Sequence, residues 1–270
     1  MALPINREHP AMLPTARQRS ETPCHGTAPA LTLDFDTMTP VFGGNRVVDC
    51  GDTGGDLVNG DHNRDAIRET TRTILAAGSM PVLLGGDDSV PIPFIEGYGE
   101  HTRKLCVVQI DAHIDWRDEV NGVTHGFSST MRRASEMDHV TSIIQIGARG
   151  PGSARQSDLT DAKAWGVHFF TGRDVHSNGV QPAIDAIPEG SDVVLAIDVD
   201  GIDPSVVPGV ILPAFGGLSY QQMLDIIHGI AAKARIVGAD FVEYVPEKDP
   251  TGSGAQAIAR LASNVIACRS

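Results

Sequence analysis

From about residue 41 onward the chain alternates between two patterns. Short apolar runs over 46–49, 82–85, 105–111, 143–147, 193–198 and 235–243 each stop at Asp, Gly or Glu and show no in-and-out alternation. That is how strands buried on both faces read. Between them lie stretches of helical period. The clearest opens at Ser219-Tyr-Gln-Gln222, a capping box, and continues with Met223, Leu224, Ile226, Ile227, Ile230 and Ala231. Further helices are predicted over 63–77, with Ile67, Ile74 and Leu75 on one face, over 158–165 before Gly166, and over 254–268, with Ile258, Leu261, Val265 and Ile266 inward. Strands alternating with helices in this way predict an α/β fold built on a mostly parallel sheet covered on both faces. Residues 1–40 hold six of the 17 prolines and no sustained apolar period. They read as an extended or mobile arm ahead of one domain over 41–270.

Composition narrows the class. A length of 270 residues allows a sizeable core, and a net charge of −13 argues against nucleic acid or an anionic membrane surface as partner. No apolar run approaches the ~18 residues of a membrane helix. The first twenty residues lack the apolar stretch of an export signal, so the expected location is cytoplasmic. Cys24, Cys50, Cys106 and Cys268 are scattered without CxxC spacing and read as reduced thiols.

In a parallel sheet, ligands bind beyond the carboxyl ends of the strands, so the polar residues that close each strand matter most. Here they are acidic. The run 105–110 leads into Asp111-Ala-His113-Ile-Asp115, the run 193–197 into Asp198-Val-Asp200-Gly-Ile-Asp203-Pro204, and the run 82–84 into Gly85-Gly-Asp87-Asp88-Ser89. If the backbone stays extended, Asp111, His113 and Asp115 share one face. One such aspartate is ordinarily a turn former. So many carboxylates at one sheet edge repel each other unless a cation lies among them. Oxygen donors with a single imidazole suit manganese, and a pair of ions sharing carboxylates accounts for the doubled D-x-D pattern. The isolated histidines His101, His139, His168, His176 and His228 read as surface or satisfied core residues.

These three motifs, in this order and each on a strand end, resemble those of the ureohydrolases, the arginase and agmatinase family, over roughly residue 46 to the C-terminus. The resemblance implies a three-layer α/β arginase-like sandwich, a pair of Mn²⁺ ions, hydrolysis of a guanidino group to urea and an amine, and a homo-oligomer, trimer or hexamer. Position by position, it implies metal ligands at Asp111, His113, Asp115, Asp198 and Asp200, with Asp111 and Asp198 bridging, and a support role for Asp203. It places the guanidinium-pairing carboxylate at Glu243 and a proton-shuttling imidazole at His125. The catalytic set is then His125, Glu243 and Asp115. These roles suit the chemistry: a guanidinium is inert to bulk water, needs a carboxylate to fix it in plane, and its leaving amine needs a proton.

The sequence departs from that family pattern in three places. The family's GGDHS reads Gly-Gly-Asp-Asp-Ser here, so Asp88 takes the position of a histidine ligand. Five carboxylates then face two divalent ions, which predicts a less acidic activated water and a more alkaline optimum, or a weaker metal at that position. The strand and loop that the family places upstream of 46–49 are not evident in residues 1–45, where 30–35 stand in at best partly. Val123 replaces the asparagine with which arginases read an amino-acid head, which favours agmatine, with putrescine as product. The alternatives are another guanidino or formimino substrate such as guanidinobutyrate, or a catalytically impaired metal-binding homologue with a regulatory role.

Overall fold

The computed structural model describes residues 32–56, 58–152 and 154–269. Most of the expected N-terminal arm, with Cys24, therefore lies outside the described residues. A small antiparallel hairpin, β1 (Leu33–Asp34) with β2 (Thr39–Pro40), comes first, followed by helix α1 (Gly60–Ala76). Then strand and helix alternate: β3 (Val82–Leu84), α2 (Pro91–Glu96), β4 (Leu105–Ile110), α3 (Thr130–Ser135), β5 (Val140–Ile146), α4 (Gln156–Trp165), β6 (His168–Phe170), α5 (Gly172–Asn178) and α6 (Gln181–Ala186). The chain closes with β7 (Asp192–Asp198), α7 (Tyr220–Lys233), β8 (Arg235–Val242) and α8 (Ser253–Ala267). Strands β3 to β8 form one sheet in the order β3-β8-β7-β4-β5-β6, and every neighbouring pair is parallel.

The absence of alternation in the strand sequences has the expected cause. Cys106, Val108 and Ile110 of β4, with Val193, Leu195 and Ile197 of β7, face a core completed by Met223, Ile227 and Ile230 of α7 and by Leu261 and Val265 of α8. Leu105 and Val107, with Val194 and Ala196, face the opposite core, which Ile67, Phe94, Met131 and Ala162 complete from α1 to α4. Both faces of the sheet are apolar because both are covered, giving three layers. The Ser219 cap is as read: its hydroxyl accepts the Gln222 N–H at 3.2 Å, and Gln222 Oε1 accepts the Ser219 N–H at 2.9 Å. His139 is a satisfied core residue, bonded to the Ile95 carbonyl at 2.9 Å, and the half-buried His228 is bonded to the Asn264 side chain at 2.9 Å. Cys50, Cys106 and Cys268 are free thiols. No described helix is long and apolar enough to cross a membrane.

Two expectations fail. Residues 46–49 form no strand: Val47 and Val48 are exposed, and β3 is the edge of the sheet. Two valines between Arg46 and Asp49 bury too little to pull a segment onto a sheet edge. Of the segment 30–35, residues 30 and 31 lie outside the described residues, and the rest supplies no strand to the main sheet, since Leu33 and Asp34 pair only with β2 among the described residues.

Candidate metal centre

The strand order changes direction between β4 and β7. From β4 the chain proceeds to β5 and β6 on one side, and it returns to β7 and then β8 on the other. Loops leaving β4 and β7 therefore diverge and open a crevice at the carboxyl edge, where doubly wound sheets bind ligands. Register sets the height of the crevice floor. Ile110 lies opposite Ile197, and Asp198 opposite Val242, so Asp111 and Asp198 leave their strands side by side and Glu243 follows one step above.

The convergence of the acidic residues does not come from extended backbone, as the alternate spacing had suggested. Each motif folds into a turn around its first carboxylate. Asp111 Oδ1 accepts the His113 N–H at 2.6 Å, and Asp198 Oδ1 accepts the Asp200 N–H at 2.7 Å. Asp115 lies at φ +40°, and its carbonyl accepts the N–H groups of Met131 and Arg132 at the start of α3. This helix contact holds a conformation that L-residues otherwise avoid. The two turns also touch: Asp200 Oδ1 accepts the Ala112 N–H at 3.1 Å. A Cβ at Gly201 would lie 2.6 Å from the Asp111 nitrogen, so only glycine permits this approach of the two loops.

The outcome is two groups of donors. One donor atom each from Asp111, His113, Asp198 and Asp200 lie within 4.8 Å of one another, as do one each from Asp88, Asp111 and Asp115. All six expected ligands are thus brought together, with Asp111 common to both groups. His113 Nδ1 stands 3.3 Å from both Asp111 Oδ1 and Asp200 Oδ2. Glu243, at φ +65°, joins them through a clasp with the β3 turn: its N–H donates to the Gly86 carbonyl at 2.9 Å, and its Oε1 accepts the Asp88 N–H at 3.0 Å. Asp203 uses its carboxylate on the N–H groups of Ser205, Gly216 and Gly217, a support role as expected. His125 sits on the loop between β4 and α3, with Nδ1 2.9 Å from Thr124 Oγ1 and no hydrogen bond to the cluster among the described residues.

Gln109, Gln145 and Arg149 were not anticipated. Gln109 Nε2 donates to Asp111 Oδ2 at 2.6 Å and to Asp115 Oδ2 at 3.0 Å. Gln145 donates in turn to Gln109 Oε1 and, at 2.8 Å, to the Ile114 carbonyl. The signal was available: each glutamine stands second from the end of its strand within an apolar run, and the two are register partners. Arg149 directs its guanidinium at the carbonyls of Gly147, Asp200, Gly201 and Ala214, so it ties the Asp200 turn to the loop preceding α7 rather than pairing with a carboxylate.

The electrostatics call for a cation. Burial, reinforced by the Asp111 charge, pushes Asp88, Asp115 and Asp198 well above the ordinary carboxylate range, and Asp200 to about 6. Burial opposes ionisation of Asp111 too, but hydrogen bonds with Asp115 and His113 keep it below its usual value. His113 is raised by its hydrogen bond to Asp111. Burial lifts Glu243 to about 7, with Asp87, Asp200 and Asp111 adding repulsion. Asp88 Oδ2 has no hydrogen-bond partner among the described residues. Buried carboxylates persist when they are paired or hold metal, and oxygen donors around one imidazole fit a hard divalent ion.

A family model described as the arginase family matches residues 17–268. The chain belongs to the arginase family. It is a family of metal-dependent amidinohydrolases with a binuclear metal centre, which agrees with the two donor groups meeting at Asp111. Among individual proteins, the chain is 30% identical to a guanidinobutyrase of Pseudomonas aeruginosa over 217 residues, 78% of this chain and 67% of that protein. It is 33% identical to an N(1)-aminopropylagmatine ureohydrolase of Thermus thermophilus over 182 residues, 67% of this chain and 60% of that protein. The chain thus spans about 60 to 67% of the length of these relatives. Among solved structures, the proclavaminate amidino hydrolase of Streptomyces clavuligerus superposes with a TM-score of 0.76 at 25% identity, covering 82% of this chain and 74% of that one. The agmatine ureohydrolase of Thermoplasma volcanium gives 0.68 at 27%, covering 77% and 69%. The arginase fold expected from the motifs is the fold observed.

Proposed function

We propose that this chain hydrolyses a guanidino compound lacking an amino-acid head, agmatine first, to urea and an amine, with two Mn²⁺ ions. The observation that carries the reading is the clasped Glu243 beside two groups of buried donors that share Asp111. Asp111, His113, Asp198 and Asp200 would hold one ion, and Asp88, Asp111 and Asp115 the other. Bound there, the ions supply positive charge that offsets the carboxylates and makes water acidic enough to attack at neutral pH.

The chain's own residues do the rest. Glu243, once ionised beside that positive charge, pairs with the planar guanidinium, and its Asp88 N–H bond fixes the direction of the carboxylate. Asp115 carries a pKa raised by burial and by Asp111, which suits it to hold a proton released by the attacking water. His125 delivers a proton to the leaving amine from the flanking loop. Agmatine is preferred because its second cationic end suits the acidic rim, where Asp87 is exposed and adds to the repulsion on Glu243. A carboxylate-ended substrate finds Arg149 already engaged by backbone carbonyls. The similarity to a guanidinobutyrase favours guanidinobutyrate as the second reading. The proposal extends to a homo-oligomer, trimer or hexamer, supported by the exposed apolar side chains Phe35, Met38, Val48 and Val58 ahead of α1.

The test is product release by the purified full chain with Mn²⁺: urea from agmatine, guanidinobutyrate and arginine, and formamide from formiminoglutamate. Urea from agmatine alone supports the first reading and urea from guanidinobutyrate alone the second. Bound metal with no product from any of them sinks both.

A further inference from the structure

The two donor groups that meet at Asp111 are chemically unlike. One combines the carboxylates of Asp111, Asp198 and Asp200 with the imidazole of His113; the other, Asp88, Asp111 and Asp115, offers oxygen alone. A second observation, independent of that clustering, points to a ligand at the oxygen-only group. Asp88 is 3% exposed, yet its Oδ2 has no hydrogen-bond partner among the described residues. Its backbone is held on both sides, the N–H by Glu243 and the carbonyl by Thr130, so its side chain leaves a fixed stem. Gln109 donates to both Asp111 and Asp115 on the same side, fixing those two carboxylates in turn.

Resting on the reading of a two-ion centre, we propose that the two positions select different cations. The oxygen-only position at Asp88 takes hard ions such as Mn²⁺ and Mg²⁺ and discriminates against Zn²⁺, while the His113 position admits Zn²⁺ readily. The cause is donor chemistry. Borderline ions gain from nitrogen donors, whereas an all-carboxylate set favours ions held by charge and willing to keep oxygen throughout. One residue, Asp88, decides the difference. Asp240, close enough for its charge to act on Asp88, is fully buried, and its carboxyl oxygens have no side-chain donor among the described residues. A carboxylate at position 88 offers Asp240 no donor, whereas an imidazole there has a second N–H to give, the support that metal-bound histidines ordinarily receive. Asp88→His is therefore a substitution that this interior can accept chemically.

The experiment uses the full chain, stripped with chelator and equilibrated with equal concentrations of Mn²⁺ and Zn²⁺. It is read by total metal content and by anomalous diffraction from crystals at the two absorption edges. The expected result is Zn²⁺ at the His113 position and Mn²⁺ at the Asp88 position, with a Zn-to-Mn ratio differing about tenfold or more between them. In Asp88→His, Zn²⁺ should fill both positions. Should that variant not fold, the reciprocal His113→Asp makes both positions oxygen-only, and Zn²⁺ should then be disfavoured at each. Equal Zn²⁺ at both positions of the native chain, or a distribution unmoved by either substitution, overturns the proposal while leaving the two-ion centre standing. No ion at either position from any solution overturns the two-ion reading itself.

Discussion

Glu243 Oε1 accepts the backbone N–H of Asp88 at 3.0 Å, joining the ends of two strands 155 residues apart in sequence. The return bond from the Glu243 N–H to the Gly86 carbonyl, at 2.9 Å, makes this a two-point clasp. One carboxyl oxygen is thereby committed to the scaffold while the charge remains for a ligand. Glu243→Gln keeps the acceptor and removes the charge. We expect metal content and melting temperature to stay unchanged while kcat/KM for urea release falls about 100-fold or more, the scale of a lost charge-assisted pair. Glu243→Ala, which also frees the Asp88 N–H, should lower stability in addition, by about 1 kcal/mol. Urea assays beside thermal melting separate the two effects.

Gln109 supports two ligands at once from beneath the centre, and Gln145 orients it through the neighbouring strand. Gln109→Leu removes both donors and leaves Gln145 with only the Ile114 carbonyl as acceptor. Loss of such outer support typically weakens metal binding about 10- to 100-fold. Calorimetric titration of the stripped protein with Mn²⁺ should show that loss in the variant. An unchanged affinity would mean that Asp111 and Asp115 are oriented by the loop turns alone.

Without metal, the centre should make the protein less stable as pH rises. Burial holds the Asp240 carboxyl up at about 8, Glu243 at about 7 and Asp200 at about 6. Each keeps its proton in the folded chain at a pH where the unfolded chain has already released it. The contribution is therefore fully favourable below the ordinary carboxylate range and declines as pH climbs from about 4 to 8. Asp240→Asn is neutral at every pH and close to the same shape. In chelator the variant should match the parent near pH 5 and exceed it at pH 8, by up to about 4 kcal/mol for a single group over those three units. Melting curves at the two values check the sign. Saturating Mn²⁺ should reverse the parent's trend, because ions displace the protons.

The buried strands, the long helices and the strand-end acids were legible because each follows from local pattern. Val193 to Ile197 is apolar on both faces because both faces are covered, and Ser219 with Gln222 states its own cap. What the pattern did not carry was how the acids meet. Asp111 and Asp198 turn their loops by accepting an N–H two residues on, and Asp115 adopts a positive φ that α3 holds in place. The first two are local turns that an Asp two residues before its partner can make; the third depends on a partner sixteen residues along the chain. The same reason hid Gln109 and Gln145, whose meaning lies in register between strands. It also explains the error at Val47 and Val48, where a local apolar pair has no neighbouring strand to join.

His125 stands apart from the cluster in hydrogen bonding, on the loop that joins β4 to α3 between the exposed Val123 and Phe127. Its Nδ1 meets Thr124 Oγ1 at 2.9 Å, a contact that fixes the ring from the side and leaves Nε2 available to a bound substrate. If this imidazole hands a proton to the departing amine, its removal touches the chemical step and not the binding of the guanidinium, which Glu243 governs. His125→Asn should therefore lower kcat about 100- to 1,000-fold with KM within about threefold of the parent. Free imidazole added to the assay should recover part of the rate. A variant with full kcat, or one in which KM alone rises, would assign His125 to the loop's structure and leave proton delivery to a group within the cluster.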